Sequence, residues 1–219
     1  MYKCVIAKYK EDLSWTKDLP CEVIVLNKDP DDSSWDINYN NIGRESESYT
    51  RYIIDNYENL NPEDIIVFLQ GNPFDHLDME ELLSVLPQNG SPIKSSHLPI
   101  PLCNRWTYIH QANNFICYKN GIYNNFLTPS DPMMSWNLTV YFAEYLNLPK
   151  FEYIISHTGA QWVVPVKYIL NKSKQWWQNT LSVHYLQDKD LSLVAGYCME
   201  RLFETIWYHS DLEKQYVKK

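Results

Sequence analysis

Pro62-Glu63-Asp64-Ile65-Ile66-Val67-Phe68-Leu69-Gln70-Gly71-Asn72-Pro73-Phe74-Asp75-His76 is the stretch that decides the fold. Five consecutive apolar residues, 65–69, follow a turn-forming Pro-Glu-Asp. Such a run fits a central strand buried on both faces, as in a parallel sheet covered by helices. The chain then passes at once into a polar turn. In open α/β sheets ligands bind beyond the carboxyl ends of the strands, so Gln70–His76 is the first place to look for chemistry.

Working outward, residues 3–9 read as a first buried strand and residues 22–26 as a second. Glu11-Asp12-Leu13-Ser14-Trp15 opens a short helix, its acids placed where the helix dipole favours them. Residues 27–34 are a loop dense in turn formers. Tyr49, Ile53 and Tyr57 recur every four residues with Tyr52 beside them, which predicts an amphipathic helix over 46–59. Strand, helix, strand, helix, strand over the first 70 residues is an α/β signature. A further helix covers 78–86, opened by Asp78.

Six prolines between Pro87 and Pro132 break any long element there. Within that segment, Phe115–Tyr118 and Ile122-Tyr123 flank Asn120-Gly121 as a hairpin would. Residues 137–146, 166–186 and 195–208 read as helices, and Ser156–Val164 as a loop followed by a strand. The charged tail, 211–219, is expected to fray. With no repeat and no linker, residues 1–210 form one expected domain.

Of the 219 residues, 45% are hydrophobic and 21% charged, a globular composition that excludes extensive disorder. A net charge of −8 makes bulk nucleic-acid binding poor, though one local basic patch remains compatible with it. No apolar run reaches the roughly 18–20 residues of a membrane helix. The start, Met1-Tyr2-Lys3-Cys4-Val5-Ile6, enters a strand pattern with no room for a signal peptide. Five cysteines without CxxC spacing suggest reduced thiols and a cytoplasmic setting. Without a secretory signal, the sequons at Asn137 and Asn171 are chance matches. Richness in Asn, Ile, Lys and Tyr fits an AT-rich genome, viral or low-GC bacterial.

Several constellations bear chemistry. Asn40-Asn41-Ile42-Gly43-Arg44-Glu45-Ser46 lies between a strand and a helix; glycine allows close backbone approach and arginine grips a phosphate bidentately. Its plain alternative is a helix start capped by Ser46, with Arg44 in a surface ion pair. Asp75, His76 and Asp78 have the donor types for a divalent cation, or Asp75 or Asp78 simply caps the next helix. His157-Thr158-Gly159-Ala160-Gln161-Trp162 offers a hydroxyl, an amide and an aromatic platform for a sugar or base, or holds a core tryptophan. Glu200-Arg201 in an apolar helix supplies either a general base or a structural pair. His97, His110, His184 and His209 lack ligand spacing, and His184 and His209 are expected at the surface. The motifs of serine hydrolases, P-loop NTPases, Rossmann dehydrogenases and zincins do not occur.

Four stretches together resemble a family of small uncharacterised proteins, the domain of unknown function DUF3431. They are Val5–Trp15; Asn41–Ser46 with Tyr49; Val67–His76; and Gly159–Val164 with Glu200-Arg201-Leu202. That family is in turn distantly similar to GT-A glycosyltransferases. The resemblance implies a single GT-A-like α/β domain, with a mixed, mostly parallel central sheet flanked by helices. It implies a glycosyltransferase moving a sugar from a nucleotide-sugar donor to a hydroxyl acceptor, a glycan or lipid-linked sugar. Donor contacts would come from Ala7, Lys8, Asp12, Asn27, Gly43, Arg44, Glu45, Gln70, Gly71 and Asn72. Acceptor contacts would come from His76, Gly159, Ala160, Gln161 and Trp162, with Glu200 and Asp75 catalytic.

One departure matters. Where those enzymes carry an Asp-x-Asp motif for Mn2+ or Mg2+, this chain has Gln70-Gly71-Asn72. Either Asp75 and Asp78 are displaced metal ligands, or cations such as Arg44 and Lys8 neutralise the diphosphate. Two alternatives follow: a viral DNA glycosyltransferase acting on a hydroxymethylated base through Lys167, Lys172, Lys174, Trp176 and Trp177, and a non-catalytic nucleotide- or glycan-binding protein.

Overall fold

The computed structural model describes residues 1–87, 98–102, 105–110, 114–119, 122–124, 136–150, 153–157, 159–185 and 189–216. Its strands are β1 (Tyr2–Lys8), β2 (Glu22–Asn27), β3 (Ile37–Asn38), β4 (Ile65–Gln70), β5 (Ile100–Pro101), β6 (Arg105–His110), β7 (Asn114–Lys119), β8 (Ile122–Asn124), β9 (Tyr153–His157) and β10 (Trp162–Pro165). Its helices are α1 (Arg44–Asn56), α2 (Met79–Ser84), α3 (Trp136–Tyr145), α4 (Val166–Leu170), α5 (Lys174–Val183) and α6 (Lys189–Tyr216).

A six-stranded sheet runs β3-β2-β1-β4-β10-β5, and a four-stranded antiparallel sheet runs β8-β7-β6-β9. In the larger sheet β3, β2, β1 and β4 are parallel, while β10 pairs antiparallel with both β4 and β5. The result is a mixed α/β architecture with a mostly parallel sheet flanked by helices. The apolar run 65–69 is buried at its centre, as the sequence predicts.

The two-residue period of a strand explains how one segment serves two cores. Val5, Ala7, Ile66 and Phe68 join Trp162 and the apolar faces of α1, α5 and α6 on one side of the sheet. Cys4, Ile6, Val67 and Leu69 join Leu82 of α2, with Leu13 and Leu19, on the other. The smaller sheet leans on α6 through β9.

Several elements differ from expectation. The helix at 11–15 is a 3-10 turn over Ser14–Asp18, because Asp12 takes the Ser14 N–H and hydroxyl at 2.9 and 2.6 Å. The single helix over 166–186 is two, α4 and α5: Ser173 caps α5 through the Trp176 N–H at 3.1 Å, which starts a new helix. Ser156-His157 is no loop but the end of β9, paired with Thr107 and Trp106. The tail continues α6 as helical backbone to Tyr216. The hairpin is present, with Tyr118 opposite Tyr123 and Lys119 opposite Ile122, while its Asn120-Gly121 turn lies outside the described residues.

Candidate functional site at the strand tips

The strand order 3-2-1-4 places a topological switch between β1 and β4. From β1 the chain winds outward to β2 and β3, then crosses back through α1 to β4 on the other side. Such a reversal leaves a crevice beyond the carboxyl ends of the two strands. Here those ends are Ala7, paired with Gln70, and the turns that follow. Trp15 ties the two turns together: its Nε1 donates to the Gly71 carbonyl at 3.0 Å and its ring meets Phe74 edge-on at 5.4 Å.

The Gly43–Arg44 turn leads into α1 with both residues left-handed, at φ 63° and 55°. Gly43 is the N-cap, and the helix starts two residues before Ser46. Ser46 instead donates its hydroxyl to the Gly43 carbonyl at 3.0 Å. A Cβ at Gly43 would lie 2.5 Å from Nδ1 of His184, so only glycine fits. Beneath the turn lies a buried charge cluster. Lys28, 4% exposed, donates to the Ile42 carbonyl and to the Arg44 carbonyl at 2.7 Å, and its ammonium forms an ion pair with Oε2 of Glu47 at 2.7 Å. Glu47 is 0% exposed; its Oε1 also accepts from Arg51 Nη2 at 2.7 Å and from the Tyr185 hydroxyl at 2.6 Å. Burial alone would raise the Glu47 carboxyl, but Lys28, Tyr185 and Arg51 hold it below the usual range.

Arg44 therefore has a fixed backbone and a partly free head. Its guanidinium lies 4.6 Å from the Tyr197 ring centre, Nη1 donates to the Tyr197 hydroxyl at 2.5 Å, and Nε donates to Glu45 at 3.2 Å. Nη2 has no hydrogen-bond partner among the described residues, and about a third of the side chain (35%) is exposed.

A second left-handed turn, Gly159-Ala160 at φ 105° and 43°, enters the same region from β9. The Gly159 N–H donates to Oε1 of Glu200 at 2.8 Å. A Cβ on Gly159 would sit 2.6 Å from the His76 ring, so the imidazole packs on the turn. Gln161 Nε2 donates to the Pro73 carbonyl at 3.2 Å. One helical turn beyond Glu200, Glu204 meets His157 Nδ1 at 2.9 Å. Burial pushes the Glu200 carboxyl above its ordinary value; the Gly159 N–H, Arg201 and Arg44 pull the other way, and Glu45 adds to the rise.

The structure thus brings Gly43, Arg44 and, through Glu200, Gly159 against α6, with Glu45 beside Arg44, His76 packed on Gly159 and Gln161 tied to Pro73. It gives other candidates different surroundings. Lys8, 7% exposed, holds Asp32 at 3.3 Å and Asn27 at 3.4 Å; Asn27 donates onward to the Asp29 and Asp32 carbonyls and to Asn38. Both organise the 27–38 loop. Trp162 is a core residue, 1% exposed, with its ring edge-on to His157, so it offers no stacking face. Trp177 is wholly buried and gives its Nε1 to the Ile169 carbonyl, which removes it from any DNA-stacking patch. His184, expected at the surface, is 1% exposed, and burial pushes its imidazole down to about 3. His97, Thr158 and the side chains of His110 and His209 lie outside the described residues.

The acids after β4 serve local turns. Asp78 caps α2, accepting from the Glu81 N–H at 2.8 Å while Glu81 reaches back to the Asp78 N–H at 3.1 Å. Asp75 accepts from Asn72 at 3.4 Å. Among the described residues no three His, Cys, Asp or Glu side chains converge as metal ligands.

Sequence reasoning passed over Lys28, Glu47 and Tyr197. Glu47 and Arg51 stand four apart on α1, and Tyr197 and Glu200 three apart on α6, spacings that mark shared helix faces. Lys28 carried no such signal, since only the folded β2–α1 loop brings it under residues 42–47.

Residues 4–86 match a family described as a protein of unknown function (DUF3431). The match takes in β1 to α2, and hence the Gly43–Arg44 and Gln70–His76 turns; the Gly159 turn and α6 lie outside it. No curated protein and no solved structure matches the chain. No described helix is long and apolar enough to cross a membrane.

Proposed function

We propose that this chain is a GT-A-like glycosyltransferase that moves a sugar from a nucleotide-sugar donor to a hydroxyl acceptor, a glycan or lipid-linked sugar. What supports the reading is a half-committed guanidinium in electrostatic reach of a carboxylate of raised pKa, the carboxylate bonded to the turn that enters β10 beside β4. As the bond from the anomeric carbon to the diphosphate breaks, the diphosphate gains negative charge. Arg44, held by Tyr197 and by its pinned backbone, directs Nη2 to that charge. As the acceptor oxygen bonds to the anomeric carbon, its proton passes to Glu200. Oε1 of Glu200 is held by Gly159, while Oε2 has no hydrogen-bond donor among the described residues. A carboxyl raised toward neutrality is a better proton acceptor than an ordinary glutamate.

Gln70 and Asn72 stand beside the donor as neutral hydrogen-bonding groups, and no step is assigned to a metal ion. His76, packed on Gly159, and Gln161, tied to Pro73, shape the acceptor side.

Calorimetric titration with a panel of nucleotide-sugars, with and without Mn2+, followed by transfer assays, tests the reading. Binding and transfer independent of Mn2+ is the expected result. Arg44→Ala and Glu200→Gln are each expected to lower turnover at least about tenfold, roughly 1.4 kcal/mol of barrier, with the far-UV spectrum unchanged. Donor binding with neither transfer nor hydrolysis would leave a nucleotide-binding protein, and failure of every donor to bind would end the proposal.

A further inference from the structure

At the opposite end of β1 two thiols face each other. Cys4 Sγ and Cys21 Sγ lie 3.0 Å apart. Cys4 is wholly buried on β1, whereas Cys21, in the bend just before β2, is partly exposed. They share the apolar cluster beneath the sheet with Val23 and Leu19. We propose that Cys4 and Cys21 are a reversible disulfide site, oxidised by thiol–disulfide exchange with a small-molecule disulfide.

Three features support this. A covalent S–S bond is about 2.05 Å long, so closure needs an approach of only about an ångström. Cys21 belongs to a bend and not to the hydrogen-bonded ladder, which begins with Lys3 opposite Glu22, so it can make that approach without breaking a strand pair. The two sulfurs also differ chemically. The hydrogen bond shared with Cys4 holds the Cys21 thiol below the ordinary cysteine value, while that same bond and burial push Cys4 up. The exposed sulfur is thus the better nucleophile and the buried one the resolving partner.

The exchange balances in two steps. The Cys21 thiolate attacks the small disulfide RSSR, forming Cys21–S–SR and releasing one thiolate RS−. Cys4, giving up its proton, then attacks Cys21 Sγ and expels the second RS−. Two protein thiols are oxidised and one RSSR is reduced to two thiols. The bond closes the segment 4–21, which carries Tyr9, Asp12 and Trp15 to the strand tips. It therefore ties a remote redox event to the rim of the candidate site. This proposal does not depend on the glycosyltransferase reading.

The test uses the whole reduced chain incubated with oxidised glutathione, quenched in acid, alkylated under denaturing conditions, and mapped by non-reducing peptide mass spectrometry. The expected product is a Cys4–Cys21 linked peptide, about tenfold in excess of any other disulfide of either residue, with both alkylation sites restored by dithiothreitol. In Cys21→Ser, Cys4 should stay fully alkylatable after the same treatment. Arrest at a Cys21–glutathione adduct with Cys4 free overturns the proposal. So does linkage of either residue to another cysteine, equal oxidation of Cys4 in Cys21→Ser, or no reaction at either residue.

Discussion

The Gly43–Arg44 and Gly159–Ala160 turns are built alike: each pairs a glycine with a second left-handed residue, and an imidazole packs on each glycine, His184 on one and His76 on the other. Their anchors have opposite sign. At the first turn the Lys28 ammonium takes the carbonyls of Ile42 and Arg44. At the second the Glu200 carboxylate takes the Gly159 N–H. Each ion faces the backbone dipole end of opposite charge. The first anchor is sunk in a network of Glu47, Arg51 and Tyr185, while the second rests on one oxygen of a half-buried side chain. The difference separates a foundation from a working part. Lys28 can only hold, whereas Glu200 holds with one oxygen and keeps the other for chemistry.

The largest expected effect breaks the foundation. Lys28→Met leaves Glu47 buried with one cation fewer and strips two turn carbonyls of their donor. Removing one member of a buried pair costs about 3–5 kcal/mol, and urea denaturation with an unchanged m-value should show a loss in that range. The double variant Lys28→Met/Glu47→Leu should recover part of it, since the uncompensated charge is then gone. A loss below about 1 kcal/mol would mean that the first turn is no better founded than the second.

The two glycines sharpen the contrast. At Gly43 an added Cβ meets His184 Nδ1 at 2.5 Å and Glu47 Cβ at 2.8 Å, atoms locked in the buried cluster. At Gly159 the obstacle is the ring of His76, a side chain that is only partly buried. Both substitutions also carry the positive-φ penalty of about 1–2 kcal/mol. Gly43→Ala should therefore cost about 2–4 kcal/mol, and Gly159→Ala about 1–2 kcal/mol. Equal losses would erase the distinction. In transfer assays the order should reverse, because Gly159→Ala displaces His76 and the amide that orients Glu200.

How far the sequence reveals this arrangement depends on the range of the forces involved. The apolar run 65–69, the buried strand at 3–9 and the Tyr49–Ile53–Tyr57 spacing are local patterns; the two strands appear where the sequence places them, while the helix expected over 46–59 runs Arg44–Asn56 and leaves Tyr57 in a 3-10 turn. Arg44 and Glu200 were legible as candidates because a glycine-led helix start and a Glu-Arg pair in an otherwise apolar helix are unusual. Their meeting was not legible, since 156 positions separate them and only the packing of α6 against α1 unites them. His184 shows the limit most plainly. A histidine without ligand spacing near the end of the helix expected over 166–186 reads as a surface residue, yet Gly43, by lacking a side chain, opens the space that buries it.

That burial gives the most specific of the expected effects. The His184 imidazole is pushed down to about 3, first by burial and then by the charges of Lys28 and Arg51, against the opposing pull of Glu47. In the unfolded chain the ring takes up a proton near the ordinary value of 6.5. Between those limits the unfolded state binds one more proton than the folded state, so stability rises with pH and is lost as pH falls. The slope is about 1.4 kcal/mol per pH unit. The Glu47 carboxyl, ordinarily at 4.5 and held lower here, adds its own loss only below that value. Between pH 6.5 and 4.5 His184 thus costs stability as pH falls, while the Glu200 carboxyl, held above its ordinary 4.5, opposes that loss. The His184 term is the difference between the urea-midpoint profiles of the wild type and of His184→Asn, which cannot titrate there, and the wild type should lose more stability across that window. Two profiles that run parallel would mean that the ring beside Gly43 keeps access to solvent, and that the first turn is as open as the second.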